Sequence, residues 1–232
     1  MVMRISVYRY NPETDAEPYM ETFDIEVSSE TMVRDALLEI KERDPTFTFR
    51  HSCGEGVCGS DAININGSNG LGCVTKIAEL KEPVEIRPMP GMPIIRDLVV
   101  DMTQFFQQYR AVKPYIIRKD PVPEVELKQT PEERDKLDGL YECILCGCCS
   151  GSCPSYWWNP DKFRGPAALL QSWRFLADNR DQGTEERLDE LDGPYKLFRC
   201  HTIMNCMDVC PKGLNPTKAI GHIKQLMLKN MV

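Results

Sequence analysis

The fold of this 232-residue chain is decided by residues 143–154, which read Cys-Ile-Leu-Cys-Gly-Cys-Cys-Ser-Gly-Ser-Cys-Pro. The cysteines follow the spacing C-x2-C-x2-C-x3-C-P, with which proteins hold cubane iron–sulfur clusters. In that arrangement three cysteines bind one cluster, and the fourth, before the proline, binds a different one. The run therefore needs one thiolate from elsewhere for its own cluster, and Cys153 needs partners of its own.

Those partners are predicted in residues 200–211, Cys-His-Thr-Ile-Met-Asn-Cys-Met-Asp-Val-Cys-Pro, which repeat the frame with one cysteine replaced by Ile203. In the ferredoxin arrangement the last cysteine of each run binds the cluster of the other run, which gives two ligand sets. Because Ile203 cannot ligate, the second set has an empty corner and indicates a [3Fe–4S] cluster. The predicted ligands are Cys143, Cys146, Cys149 and Cys210 for [4Fe–4S], and Cys153, Cys200 and Cys206 for [3Fe–4S].

A third site is predicted in the Gly-rich loop at residues 50–61, Arg-His-Ser-Cys-Gly-Glu-Gly-Val-Cys-Gly-Ser-Asp. With Cys73 it matches the plant-type spacing C-x4-C-x2-C…C, except that an aspartate replaces the third cysteine. The glycines allow backbone amides to approach sulfur. The alternative is that Asp61 is solvated and that Ser60 or water fills the corner. The predicted [2Fe–2S] ligands are Cys53, Cys58, Asp61 and Cys73.

The eleven cysteines are odd in number and clustered, which does not suit a secreted disulfide framework. Ten of them, with Asp61, fill the predicted ligand positions. Cys148 is left over and is expected to be a small buried residue near a cluster. Zinc and free structural thiols remain the alternative readings of the same spacings.

The charge and hydropathy of the chain exclude several classes. The net charge is −7 and the pI about 5.1, whereas a nucleic-acid-binding surface is usually basic. No stretch approaches the roughly 20 apolar residues of a spanning helix, and the N-terminus does not resemble a signal peptide. We expect the protein to stay in the cytosol, or on the matrix side of an organelle, with any membrane contact made through partners.

Apolar–polar alternation predicts strands at residues 3–9, 20–27, 62–66, 71–75 and 84–87. An apolar stripe from Val33 to Ile40 predicts a helix capped by Ser28, Ser29 or Thr31. From residue 96 to 112 a second stripe predicts an amphipathic helix, and everything beyond is expected to be helix or loop. Residues 118–131 suit an exposed connection, and further helices are expected at Pro131, around 169–177 and from Pro216.

The sequence resembles the iron–sulfur subunits of succinate dehydrogenase, of a bacterial type, over essentially its whole length. The segments that carry the resemblance are residues 9–15, 50–61, 96–102, 141–163 and 199–216. The resemblance implies an α+β fold. A plant-ferredoxin-like β-grasp domain covers residues 1–97, and an all-α bacterial-ferredoxin-like domain covers residues 98–232.

The resemblance also implies a function. A flavoprotein partner with covalently bound FAD oxidises succinate to fumarate, and electrons pass singly through [2Fe–2S], [4Fe–4S] and [3Fe–4S] to quinone. No residue of this chain is then catalytic in the substrate reaction. The implied partners are the flavoprotein, membrane-anchor subunits that bind haem b, and quinone. The implied location is the cytoplasmic face of the bacterial inner membrane.

Four residues match family positions beside the [3Fe–4S] cluster and the quinone pocket: Pro154, Trp158, His201 and Ile203. Trp158 offers an apolar face and one N–H donor. His201 could interact with a haem propionate or assist proton delivery; the alternative is a capped loop histidine. Many relatives have cysteine in place of Asp61, so the sequence departs from the family pattern at that corner.

Two other functions stay open at this point. The iron–sulfur subunit of fumarate reductase shares the cluster frame and runs the reverse reaction, although Asp61, Ile203 and the Trp157-Trp158 pair favour the succinate-oxidising branch. A structural zinc-binding module is weakly permitted by Cys148 and Asp61.

Overall fold

The computed structural model describes residues 1–121 and 123–230. It divides into two compact units. The first unit comprises Met1–Met102 together with Ile144–Ser152, and the second comprises Thr103–Cys143 and the residues from Cys153 onward. The division into residues 1–97 and 98–232 stays a prediction.

The first unit is built on a five-stranded mixed sheet in the order β2-β1-β5-β3-β4. The central strand β1 pairs antiparallel with β2 and parallel with β5, and β3 pairs antiparallel with both β4 and β5. Alternate residues of β1 are buried, so the strand predictions from alternation are confirmed for four of the five segments. The bounds are β1 Val2–Arg9, β2 Tyr19–Glu26, β3 Ala62–Ile65, β4 Ser68–Leu71 and β5 Val84–Arg87.

The prediction for residues 71–75 is wrong, because the chain turns back earlier. The turn lies at Asn66 and Gly67, whose φ angles are 49° and 87°. An Asn-Gly pair with two positive φ angles makes the tight hairpin turn that suits strand twist. The returning strand is therefore Ser68–Leu71.

Helix α1 (Val33–Arg43) buries its predicted apolar stripe against the core of this unit. The predicted caps are wrong. Met32 occupies the N-cap position, and the carboxylate of Asp35 accepts the backbone N–H of Met32 at 3.3 Å. Thr31 instead accepts the N–H of Ser28 at 2.9 Å, within the preceding turn.

The predicted helix over residues 96–112 begins later than expected. Residues 94–100 form a small hairpin of β6 (Ile94–Arg96) and β7 (Val99–Val100), and α2 runs only from Thr103 to Ala111. Asp97, at φ 45°, sits in the turn with its carboxylate buried. That carboxylate accepts the N–H groups of Tyr10 at 2.9 Å and Thr48 at 2.8 Å, which fixes the hairpin to the first unit.

The second unit is helical. As predicted, Thr130 and Glu133 cap α3 reciprocally, with 3.2 Å from Glu133 N to Thr130 Oγ1 and 2.8 Å from Thr130 N to the Glu133 carboxylate. Helices α6 and α9 pack together and bury Leu170 and Ile223. The predicted connection at 118–131 is exposed over most of its described part, and its Val122 lies outside the described residues. The helices are α3 Pro131–Asp135, α5 Pro154–Trp158, α6 Gly165–Leu176, α7 Thr184–Leu191, α8 Asn205–Asp208 and α9 Pro216–Asn230; α4 (Cys148–Gly151) belongs to the first unit.

None of the helices in residues 1–121 and 123–230 combines the length and the apolar composition needed to cross a bilayer.

Candidate functional site

The two cysteine runs adopt the same backbone conformation. In each run the residue two positions after the first cysteine has a positive φ, 55° at Leu145 and 59° at Thr202. The residue four positions after it is also left-handed, 84° at Gly147 and 73° at Met204. A four-residue helix follows at the same offset in both runs, α4 and α8. The two runs therefore share their backbone conformation as well as their residue spacing. In this shared arrangement Ile203 occupies the position that Cys146 has in the first run.

The three cysteines of the predicted [3Fe–4S] set line one small cavity in the second unit. Cys206 is buried, whereas Cys153 and Cys200 are partly exposed. Burial raises the pKa of Cys206, and the neighbouring Cys153 and Cys200 raise it further. Thiols crowded in this way release their protons when they bind a metal centre. The side chain of Ile203 closes part of the same wall and contributes no ligand.

Ser155 supplies a polar atom to this cavity. It is 1% exposed, and its hydroxyl has no hydrogen-bond partner in the protein. Burial raises the pKa of Cys153, while the backbone amides of Tyr156 and Ser155 act in the opposite direction. Hydrogen-bond donors that point at a thiolate stabilise its negative charge. The buried Ser155 hydroxyl has no partner in the protein, which fits a cavity wall that faces cluster sulfide and thiolate.

The predicted [2Fe–2S] loop also brings its residues together. The backbone amides of Glu55 and Cys58 donate to Sγ of Cys53 at 3.4 and 3.3 Å. Sγ of Cys58 lies 3.0 Å from Oγ of Ser60, and this hydroxyl lowers the pKa of Cys58 to about 6. Gly56, at φ 68°, is one of the left-handed glycines that turn these amides inward.

Asp61 fits a ligand better than a solvated loop residue. It is 4% exposed, and one carboxylate oxygen accepts the N–H of Cys73 at 2.6 Å. The other oxygen, Oδ1, is buried with no hydrogen-bond partner. Burial, followed by the adjacent Asp61, raises the pKa of Cys73 to about 11. An orphaned buried carboxylate oxygen is costly unless it binds a donor or a cation.

The four residues predicted for [4Fe–4S] divide between the two units. In the second unit, Cys143 and Cys210 both pack against one apolar cluster that includes Leu140 and Leu214. In the first unit, Cys146 and Cys149 flank Cys148, which is fully buried as expected for the left-over cysteine. The grouping of all four around one cluster remains a proposal.

Asn69, on β4, is a structural residue beside the predicted site that sequence reasoning missed. Its side-chain amide donates to the carbonyl of Cys148 at 3.1 Å and to Oγ of Ser152 at 2.8 Å, and it accepts from Asn64 at 2.8 Å. It thereby ties residues 144–152 to the sheet of the first unit. One asparagine in a strand carries no signal for this, because the partner lies about eighty positions away.

The residues predicted for the quinone pocket lie in the second unit. Pro154, His201 and Ile203 line the cavity described above, and Ile203 is 44% exposed. Trp158 ends α5, is 61% exposed, and has the guanidinium of Arg199 5.7 Å from its ring centroid. The carbonyl of Cys200, next to His201, accepts from Lys224 Nζ at 2.9 Å, which holds the start of this run.

Both halves of the chain match models of iron–sulfur domains. A family described as a 2Fe-2S iron-sulfur cluster binding domain matches residues 4–107, and one described as a 4Fe-4S dicluster domain matches residues 142–215.

Within the described residues, no three side chains among His, Cys, Asp and Glu converge closely enough to coordinate a single metal ion.

Curated relatives cover the whole chain. The succinate dehydrogenase iron-sulfur subunit of Coxiella burnetii (strain RSA 493 / Nine Mile phase I) is 58% identical over 229 residues, which are 98% of this chain and 97% of the relative. The chain belongs to the family of succinate dehydrogenase iron–sulfur subunits. The family member of Paracoccus denitrificans is 52% identical over 233 residues, covering 100% of this chain and 90% of its own length.

A solved structure agrees with the fold of this family member. A chain of the Mycobacterium smegmatis Sdh1 complex in the apo form superposes with a TM-score of 0.85 at 22% identity, covering 99% of this chain and 96% of that one. The mixed sheet unit followed by a helical region is therefore the fold of a chain in that solved complex.

Proposed function

We propose that this chain is the electron-transfer subunit of a succinate dehydrogenase, and that it takes electrons from a flavoprotein one at a time and delivers them to quinone. The observation that carries the proposal is the shared backbone frame of the two cysteine runs, in which Ile203 stands where Cys146 stands. A pair of frames with one ligand missing fits a terminal [3Fe–4S] centre and not a structural zinc module.

The residues that would hold the three centres are those assigned from the spacing. Cys53, Cys58, Asp61 and Cys73 hold [2Fe–2S]; Cys143, Cys146, Cys149 and Cys210 hold [4Fe–4S]; Cys153, Cys200 and Cys206 hold [3Fe–4S]. When bound, these clusters supply one-electron carriers, which a two-electron flavin donor and a quinone acceptor both require. The chain itself makes and breaks no bond in succinate.

The chain's own contribution is to hold the clusters, to shield them from water and to polarise their surroundings. Amide donors at Cys53 stabilise thiolate charge, and the burial of Cys73 and Asp61 excludes water from one side of the first loop. Ser155 presents a hydroxyl to the cavity around Cys153. Hydrogen bonds to sulfur and solvent exposure are two of the protein's means of setting cluster potentials.

We infer that quinone is reduced beside Pro154, Trp158, His201 and Ile203. In support, three of the four line the cavity of the predicted [3Fe–4S] ligands, and Trp158 presents an exposed indole on the short helix that starts at Pro154. His201 is exposed and available to exchange a proton with a bound quinone or to meet a haem propionate.

We also infer the finer architecture and location. The strand order of the first unit fits a plant-ferredoxin-like β-grasp domain, and the repeated frame fits a bacterial-ferredoxin-like helical domain, divided near residue 97. The partners are an FAD-containing flavoprotein and membrane-anchor subunits that bind haem b. The chain then lies peripherally on the cytoplasmic face of the bacterial inner membrane, held by the anchors.

The test is EPR spectroscopy and turnover of the purified complex. We expect signals of all three cluster types and faster succinate oxidation with ubiquinone than fumarate reduction with menaquinol. Faster fumarate reduction by menaquinol would instead support the fumarate reductase alternative. A colourless, zinc-containing preparation without a [3Fe–4S] signal would overturn the proposal.

A further inference from the structure

Arg34, in the first turn of α1, is anchored beside the [2Fe–2S] loop. Its backbone N–H donates to the carbonyl of Gly72 at 2.9 Å, immediately before Cys73. A Cβ built on Gly72 would lie only 3.4 Å from the backbone nitrogen of Arg34. The start of the helix is therefore packed directly against the segment that carries one of the proposed ligands.

The guanidinium of Arg34 lies over Gly54, the residue after Cys53. A Cβ built on Gly54 would lie 1.7 Å from Nη1 of Arg34 and 2.8 Å from Cζ. The cation thus fills the space that any side chain at position 54 would take. Gly54 also has φ 79°, a backbone conformation that favours glycine.

A carboxylate holds the guanidinium in this orientation. Nε and Nη2 of Arg34 donate to Oδ1 of Asp35 at 3.2 and 2.9 Å, which leaves Nη1 on the side of the loop. The side chain of Arg34 is 25% exposed and that of Asp35 is 42% exposed. The guanidinium is therefore the end of this pair that faces the loop, and its positive charge lies nearer the loop than the carboxylate does.

The loop and the arginine interact electrostatically. The pKa of Arg34 is raised first by its hydrogen bond to Asp35, and additionally by the charges of Cys73 and Asp61. Such an interaction is mutual: groups that stabilise the cation are themselves stabilised by it. Cys73 and Asp61 are two of the proposed [2Fe–2S] ligands.

We propose that Arg34 is a positioning residue whose charge raises the reduction potential of the [2Fe–2S] centre. Reduction adds one negative charge to a centre already surrounded by three thiolates and a carboxylate. A nearby cation stabilises the reduced form more than the oxidised form, and net charge is one of the determinants of cluster potential. The inference rests on the proposed ligand set of this loop.

The experiment is an EPR-monitored redox titration of the intact complex carrying Arg34→Gln, Arg34→Met or Arg34→Lys. We expect Gln and Met to lower the equilibrium constant for [2Fe–2S] reduction about threefold or more, which is about 28 mV at 59 mV per tenfold for a one-electron couple. Lys should retain most of the wild-type potential, because it keeps the charge. The matched control is Arg43→Gln at the far end of the same helix, where we expect no shift.

The variants separate charge from packing. If Arg34→Lys lowers the [2Fe–2S] potential as far as Arg34→Gln and Arg34→Met do, the effect is structural and the proposal is overturned. An unchanged [2Fe–2S] potential in Gln or Met variants that retain full signal intensity also overturns it. The difference between wild type and Gln should shrink as ionic strength rises, because Arg34 is partly exposed. Absence of any [2Fe–2S] signal from the wild-type complex would instead overturn the ligand set itself, and this inference with it.

Discussion

Gly59 of the [2Fe–2S] loop lies directly against Cys146 of the cysteine run at residues 143–154. A Cβ built on Gly59 would be 2.8 Å from Cβ of Cys146 and 2.9 Å from its Cα. Both residues belong to the first unit, so the two segments meet within one compact body. The absence of a side chain at Gly59 is what permits this approach.

We predict that Gly59→Ala reduces cluster loading and stability. The φ of 69° alone costs a non-glycine residue about 1–2 kcal/mol, and the new methyl group would also displace the backbone of Cys146. The measurement is EPR spin quantitation of [2Fe–2S] and [4Fe–4S], with the thermal midpoint of the complex. Gly67→Ala is the control, because Gly67 has φ 87° but no atom within 4 Å of its Cβ position. Equal losses in the two variants would show that the contact with Cys146 does not matter.

A second prediction concerns Asp61. Because its Oδ1 is buried without a hydrogen-bond partner, we expect Asp61→Cys to keep a [2Fe–2S] cluster with an altered EPR spectrum, and Asp61→Ala to lose most of it. Ser60→Ala is the control for the alternative ligand. Full loading in Asp61→Ala together with loss in Ser60→Ala would assign the corner to Ser60.

Asn69→Ala should loosen residues 144–152. It removes the two hydrogen bonds that the Asn69 amide donates to the Ser152 hydroxyl and the Cys148 carbonyl, each worth about 0.5–1.5 kcal/mol. We expect lower [4Fe–4S] occupancy after mild heating, measured by EPR and iron content. Asn64→Ala is the control and should lose less, because it removes the donor to Asn69 and the acceptor of the Gly67 N–H but neither hydrogen bond from Asn69 to residues 144–152. Equal occupancy in Asn69→Ala and wild type would contradict the anchoring role.

The second unit depends on one buried ion pair. The side chains of Arg187 and Asp181 are each 1% exposed, and Arg187 also donates to the carbonyls of Val112, Lys113 and Tyr115. Removing one partner leaves an uncompensated buried charge, so Arg187→Met should destabilise the protein by about 3–5 kcal/mol.

The measurement for that pair is a comparison of unfolding midpoints in denaturant. The control is Arg43→Ala, which breaks an exposed pair with Glu39 and should cost about 0–1 kcal/mol. If Arg187→Met loses no more unfolding free energy than the control, the Arg187–Asp181 pair does not contribute appreciably to the stability of the second unit.

The sequence predicts most of the regular structure where one short-range rule dominates. Alternation in β1 and the apolar stripe of α1 are such cases, and both are confirmed. The stripe at Leu98 and Val99 was misleading, because Asp97 makes distant hydrogen bonds to Tyr10 and Thr48 that favour a hairpin over a helix. Tertiary contacts of that kind leave no periodic trace in the sequence.

The candidate site is predictable to a similar extent. Spacing leads us to propose the cysteines and Asp61 as ligands, since ligand geometry imposes short fixed intervals. It does not reveal the left-handed backbone of Leu145 and Met204, which are not residue types that favour positive φ. Nor does it identify Ser155, whose role depends on its burial beside Cys153.

The central claim is that Ile203 marks the open corner of a [3Fe–4S] centre held by Cys153, Cys200 and Cys206. The most direct measurement is EPR of the oxidised complex carrying Ile203→Cys, with Ile203→Val as the control. We predict that Ile203→Cys loses the [3Fe–4S] signal, gains a [4Fe–4S] centre and lowers the potential at this position, whereas Ile203→Val keeps the wild-type spectrum. An unchanged [3Fe–4S] signal in a fully assembled Ile203→Cys complex would contradict the claim.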